Sequence, residues 1–241
     1  MLRAVIFDFD GVITDTEALH LRAFNQVLAE HSVEITQKQY YDDYLGLTDL
    51  DCFKLLIRQG RLGLDCQAIG NLVNEKNRIF EELAKTEAVI IEGVDDFLQM
   101  LKQNDVAMAI CSGALLPEIE LILDQSRLRP FFSVIVSADQ IQRGKPHPEG
   151  FLLALQKLND TVISPQACPR PRSGAGIQTP ISPSECIIIE DSPWGLQAAK
   201  AAGMHNIAVT NSYDADQLQL AERIVTRLDA LSLNDLEELC A

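Results

Sequence analysis

Long apolar runs are missing from this sequence. Stretches such as Cys186 to Ile189 fall far short of the roughly 20 residues a membrane-crossing helix needs. Met1 to Asp10 already contains Arg3, Asp8 and Asp10, which leaves no room for the apolar centre of a secretory signal, so a cytoplasmic protein is expected. Basic residues are also scarce: 20 Lys and Arg stand against 35 Asp and Glu, for a net charge of -15. A field of that sign argues against a nucleic-acid groove. It would also repel a phosphate ester, so an anionic substrate needs a locally positive site built from a cation and one or two basic side chains. The cysteines (Cys52, Cys66, Cys111, Cys168, Cys186, Cys240) form no C-x-x-C pair and have no histidine at zinc-ligand spacing, and most read as buried small apolar residues.

What is present is an alternation. Short apolar runs of buried-strand type occur at Leu2 to Phe7, Val106 to Cys111, Ser133 to Val136, Cys186 to Ile189 and Asn206 to Val209. Helical patterns at Val94 to Gln103, Leu115 to Leu123, Pro148 to Leu158 and Pro193 to Ala202 lie among them. Strands alternating with helices predict a doubly wound α/β fold around a parallel sheet covered on both faces. The last helix is punctuated by Ser192 as cap, Pro193 at its first position and Gly203 at its stop.

Two stretches break the pattern. Thr16 to Ile90 contains no good strand, only amphipathic helical segments at Glu17 to Glu30, Gln37 to Asp43, Asp49 to Gln59 and Asp65 to Lys85. This predicts an all-helical domain over residues 16–90, inserted into an α/β core of residues 1–15 and 91–241 and placed after the first strand, where it can act as a lid. Asn159 to Pro183 carries Pro165, Pro169, Pro171, Pro180 and Pro183 and reads as a long mobile surface loop, or alternatively as a partner-binding arm.

The strand ends carry the chemistry. Asp8 and Asp10, two residues apart at the mouth of the first strand, would repel each other unless a cation holds them, or they simply turn into solvent. Gly11 permits the sharp turn that follows. Ser112 and Gly113 follow the second strand with a hydroxyl and a backbone N–H suited to phosphate, although Ser-Gly is also ordinary turn chemistry. Lys145 offers one ammonium ahead of the helix at Pro148. Glu190 and Asp191 form a second acidic pair, for which helix capping is the bland alternative.

Taken in this order, DFDGVITDTE, CSGA, GKPHPEGF and IIIEDSPWGLQAAKAAG, with the helical block after the first, resemble the haloacid dehalogenase superfamily over nearly the whole chain. The match is to the helical-cap branch and is similar to its β-phosphoglucomutase and phosphatase group. Only the proline-rich loop lacks an expected counterpart. The resemblance implies a phosphatase in which Asp8 attacks phosphorus, Asp10 serves as general acid and base, and Ser112 and Lys145 hold the phosphoryl oxygens with Gly113. It also implies Mg²⁺ held by Asp8, the Asp10 carbonyl, Asp191 and Glu190.

Substrate choice would fall to the helical domain. His20, Gly46 and Lys76 are its candidate substrate contacts, with a solvated helix face as the alternative for the two charged or titratable ones. A small phosphorylated metabolite, a sugar or polyol phosphate, is the expected substrate of a monomer or weak homodimer that binds neither nucleic acid nor membrane. In the mutase relatives an Arg in the cap loop grips a second phosphate, and here that position reads as Asp49, which speaks against mutase chemistry. A dehalogenase would have no use for Asp10 or the Glu190-Asp191 pair, and a non-catalytic binding protein would be expected to have lost a motif residue.

Overall fold

The computed structural model describes residues 1–64, 68–163 and 179–241. In chain order its elements begin with β1 (Ala4–Phe7), β2 (Thr14–Asp15), α1 (Glu17–Ala29), α2 (Gln37–Gln39), α3 (Asp49–Arg58), α4 (Ile69–Glu87), β3 (Val89–Ile90) and α5 (Val94–Gln103). They continue with β4 (Ala107–Cys111), α6 (Leu116–Ser126), β5 (Val134–Val136), α7 (Glu149–Ile163), β6 (Cys186–Glu190), α8 (Pro193–Ala201), β7 (His205–Val209), β8 (Arg223–Val225) and α9 (Leu233–Leu239). The chain divides into two compact units, Met1–Thr14 with Ile90–Ala241, and Asp15–Val89.

The first unit is α/β. Its six strands lie in the order β5-β4-β1-β6-β7-β8 and every described pairing is parallel. β1 is wholly buried between β4 and β6, which is why Ala-Val-Ile-Phe carries no polar residue. Its two faces are covered by different helices. Ala4 and Ile6 pack with Phe151, Ala154, Leu155 and Leu158 of α7 and with Ala198 and Ala199 of α8. On the other face Phe7 meets Phe97 of α5 edge-on at 6.0 Å and Phe132 at 5.8 Å. Burial of each such large apolar side chain contributes about 1.5–3 kcal/mol. The strand order runs from β1 out to β5 on one side and then resumes on the other with β6, so the carboxyl ends of β1, β4 and β6 flank a topological switch point, the place where open α/β sheets bind ligands. α8 starts as its sequence announces, with Ser192 Oγ accepting from Gly195 N at 3.1 Å, Pro193 first in the helix, and Gly203 beyond its end at a φ of 71°.

The second unit is helical. α1 and α4 pack together, and Phe24, Tyr40, Tyr44, Phe53 and Leu56 fill its core. Thr36 and Thr48 cap α2 and α3 through their side chains, accepting from Gln39 N and Asp51 N.

The structure departs from the sequence expectations in several places. The segment expected to lack strands ends in β3, a two-residue strand that pairs with β2. The helix expected at Gln37 to Asp43 is a single α-turn followed by a π-helical turn at Tyr40–Tyr44, which buries both Tyr40 and Tyr44. The segment expected to be loop from Asn159 onward starts as helix, because α7 runs on to Ile163. Asn159 is part of that helix and bonds the far side of the segment, accepting from Ile181 N at 2.6 Å and donating to Ile181 O at 3.1 Å. The rest of the expected mobile loop, residues 164–178, lies outside the described residues, as do Cys66 and Cys168. Cys52, Cys111, Cys186 and Cys240 are free and buried. Among the described residues no helix is long and apolar enough to cross a membrane.

Candidate active site

Asp8 is the first residue beyond β1, yet its backbone N–H still donates to Ile189 O at 2.9 Å, so the sheet fixes the Cα from which its carboxylate projects. Lys145, from the loop before α7, places Nζ 2.7 Å from Asp8 Oδ1 and 2.5 Å from Glu190 Oε1, with the same ammonium 5.4 Å from the centre of the Phe151 ring. Glu190 ends β6 and is fully buried. Its Oε2 accepts from Asp191 N and Ser192 N, each at 3.1 Å, and from Ser192 Oγ at 2.8 Å. Its Oε1 has the Lys145 ammonium beside it but no donor aligned for a hydrogen bond. Capping is therefore not the role of Glu190: Ser192 caps α8, and Glu190 holds Ser192.

Two glycines make room for this acidic set. A Cβ on Gly195 would stand 1.8 Å from the Glu190 carboxyl carbon, and one on Gly11 would stand 1.8 Å from Asp191 Oδ2. Gly11 also takes a φ of 73°, and its turn closes with Gly11 N donating to Thr14 O at 2.8 Å. Asp10 lies in that turn, half-buried, with a parallel bridge to Thr14.

Oxygen atoms of Asp8, Glu190 and Asp191 all lie within 4.8 Å of one another. Burial, together with the charges of Glu190 and Asp10, pushes the Asp8 carboxyl up to about 8 against the pull of Lys145. Asp191 is driven well above the ordinary carboxylate range by burial and by the charges of Glu190 and Asp8. Burial pulls Lys145 down, but Asp8 and Glu190 outweigh it and raise it. Three buried carboxylates against one ammonium leave negative charge uncompensated, and their donors are hard oxygens. Such a set fits a hard divalent cation, which would neutralise the surplus that protons otherwise must.

Ser112 is buried at the end of β4. Its N–H donates to Val136 O at 2.9 Å, and its Oγ accepts from Ala114 N at 2.9 Å, which leaves the hydroxyl proton to donate. Gly113 follows with open space where a Cβ would be. Sequence reasoning stopped at four strand ends and missed a fifth. Beyond β7, Asn211 Nδ2 donates to Gly11 O at 2.7 Å, and Ser212 Oγ lies with Asp191 Oδ2 against the Gly11 turn. Following the recognised strand at Asn206 to Val209 to its polar exit would have found both.

The helical unit brings His20 and Lys76 together. Lys76 is 1% exposed, where a helix charge more often lies on a wet face. Its Nζ reaches Asp49 Oδ1 at 2.8 Å, Asp49 Oδ2 at 2.9 Å and His20 Nδ1 at 2.7 Å, between the rings of Phe24 and Phe80. An ammonium only donates, so His20 Nδ1 is the acceptor, and the imidazole stacks on Phe80 at 4.1 Å. Asp49, expected to repel a second phosphate, has its charge matched by Lys76. Gly46 takes a φ of 79° in the turn before α3.

Comparison with known proteins identifies the family of the chain. Residues 5–209 match the family described as haloacid dehalogenase-like hydrolase. The chain is similar to the phosphorylated carbohydrates phosphatase of Thermotoga maritima, at 28% identity over 86% of this chain and 84% of that one. It is similar to hexitol phosphatase B of Escherichia coli K12, at 28% identity over 97% and 96% of the two chains. Its fold matches the crystal structure of β-phosphoglucomutase from Clostridium difficile with a TM-score of 0.79 at 23% identity, covering 100% of this chain and 97% of that one.

Proposed function

Because the chain belongs to the haloacid dehalogenase-like hydrolases, we propose that it is a Mg²⁺-dependent phosphatase that hydrolyses a small sugar or polyol phosphate through an aspartyl-phosphate on Asp8. The observation that carries this reading is the buried Asp8 carboxylate at the switch point of the sheet, paired with Lys145 at 2.7 Å and crowded by Glu190 and Asp191. Asp8 forms the bond to phosphorus as the ester P–O bond breaks, and Asp10 gives its proton to the leaving alkoxide. Asp10 then takes a proton from water as that water attacks the aspartyl-phosphate, releasing inorganic phosphate and restoring Asp8. Lys145, the Ser112 hydroxyl and the Gly113 N–H stabilise the phosphoryl oxygens on which charge gathers. Mg²⁺, held by Asp8, the Asp10 carbonyl, Glu190 and Asp191, would keep Asp8 ionised and offset charge on the transferring group.

The relatives' names support a phosphorylated carbohydrate or polyol as substrate. His20, Gly46 and Lys76 are the proposed contacts of the helical unit. With the Lys76 ammonium already matched by Asp49, this group of residues suits a hydroxylated tail better than a second phosphate, which favours hydrolysis over isomerisation.

The test is phosphate release from a panel of sugar, polyol, nucleotide and short-acid monophosphates, with Mg²⁺ and with EDTA. We expect release from sugar or polyol esters that vanishes on chelation and returns with Mg²⁺. Undiminished release after exhaustive chelation would remove the metal from the scheme, and no release from any ester would remove the phosphatase reading.

A further inference from the structure

We propose that Asn211 and Ser212, on the loop leaving β7, are positioning residues that hold the Gly11 turn and the Asp191 carboxylate in register for a divalent cation. The inference rests on the metal reading above.

Three strand exits converge on one point. A Cβ at Gly11 would stand 1.8 Å from Asp191 Oδ2 and 2.7 Å from Ser212 Oγ, so the carboxylate and the hydroxyl both lie directly against the turn that follows β1. Ser212 Oγ and Asp191 Oδ2 border the same point beside Gly11, and the hydroxyl favours the ionised Asp191 carboxylate against the push of burial. Asn211 Nδ2 donates to Gly11 O at 2.7 Å, across some two hundred residues of chain. The preceding residue is itself anchored, because Thr210 N donates to Val225 O at 3.1 Å and ties the loop to β8.

Each contact removes one freedom that cation binding would otherwise have to freeze. An aspartate carboxylate turns about its Cβ–Cγ bond, and a donor fixed on one side of it sets which lone pairs remain for a cation. An amide on Gly11 O fixes the peptide plane next to the Asp10 carbonyl, and with it the turn that carries Asp8 and Asp10. Gly11 has to be glycine for the same reason, since any side chain would occupy the point where the three exits meet.

The experiment is Mn²⁺ binding to the full chain, followed by the electron paramagnetic resonance signal of the free ion. It compares wild type, Asp191→Asn, Ser212→Ala and Asn211→Ala, with thermal unfolding of each in EDTA. Removing such outer supports weakens metal binding by about 10-fold or more. We expect a rise in Kd of that order for Ser212→Ala and, in the same direction, for Asn211→Ala, with metal-free unfolding midpoints close to wild type. Asn211 is exposed, so its variant carries the comparison if Ser212→Ala does not fold. Wild-type affinity in the Ser212 and Asn211 variants, beside weakened binding in Asp191→Asn, overturns the positioning role and leaves the metal reading intact. Failure of the wild type to bind Mn²⁺ overturns both.

Discussion

In the α/β unit three carboxylates, Asp8, Glu190 and Asp191, crowd around one ammonium, whereas in the helical unit one buried ammonium, Lys76, meets one carboxylate, Asp49. Both arrangements remove charge from water, which is unfavourable unless the charge is paired and hydrogen-bonded. The helical unit pairs it internally. Lys76 directs its donors to Asp49 and His20, and the rings of Phe24 and Phe80 supply their negative faces. The α/β unit leaves its charge unbalanced, so its folded state is completed by something from outside, protons or a cation. A balanced buried pair can serve architecture, but an unbalanced one is poised to bind.

The largest expected effect comes from the unbalanced side. Asp8→Asn keeps the shape of the side chain and removes both the proposed nucleophile and one of the crowded carboxyls. Turnover should fall by at least about a thousand-fold, while the unfolding midpoint in EDTA stays equal to wild type or rises. Steady-state phosphate release and calorimetry on the same preparation check the two halves. Retained turnover would show that the reaction does not pass through Asp8.

An opposite asymmetry sharpens the contrast on the balanced side. Asp49→Asn strands a buried ammonium and should destabilise the protein by about 3–5 kcal/mol. Lys76→Met leaves a flexible apolar chain between Phe24 and Phe80 and an Asp49 side chain still 24% exposed to water, so its effect should stay within about 1.5 kcal/mol. Urea denaturation of the two variants decides this, and equal destabilisation would mean that the pair is not governed by burial of Lys76.

The remaining effect is in pH. The Asp8 carboxyl, ordinarily near 3.8, is held up to about 8 in the folded chain, and Asp191 is raised as well. Between those limits the folded state keeps protons that the unfolded state has released, so the stability they contribute is present at low pH and is lost as pH rises from about 4 to 8. In EDTA the unfolding midpoint should fall by about 10 °C between pH 5 and pH 8.5. Saturating Mg²⁺ should flatten that slope. A flat profile in EDTA would mean that the acidic set is already neutralised from within.

Much of the α/β architecture is legible in the sequence because its central strands are buried on both faces. β1 and β6 read as uninterrupted apolar runs, and their polar exits at Asp8, Glu190 and Asp191 stand out by contrast. α5 spans Val94–Gln103, the same residues its periodicity marks out. β8 and α9 are not legible: Arg-Ile-Val is a half-buried three-residue edge strand, and α9 is two turns long, so neither shows a pattern until β7 and the rest of the unit are in place beside it.

By itself, the sequence determined the parallel α/β class, the helical block after β1, and the residue types gathered at the strand exits, because these depend on local periodicity and on the chemical cost of placing acids at the end of a buried strand. Only the tertiary structure decided who faces whom. That Lys76 is buried against Asp49 depends on α4 packing near the start of α3, with 26 residues lying between the two in the chain. That Asn211 and Ser212 close on Gly11 and Asp191 depends on β7 lying beside β6, and β6 beside β1. Periodicity reports whether a side chain faces inward, but partners brought together across the sheet share no periodicity, and the charge balance of a site is a property of the partners.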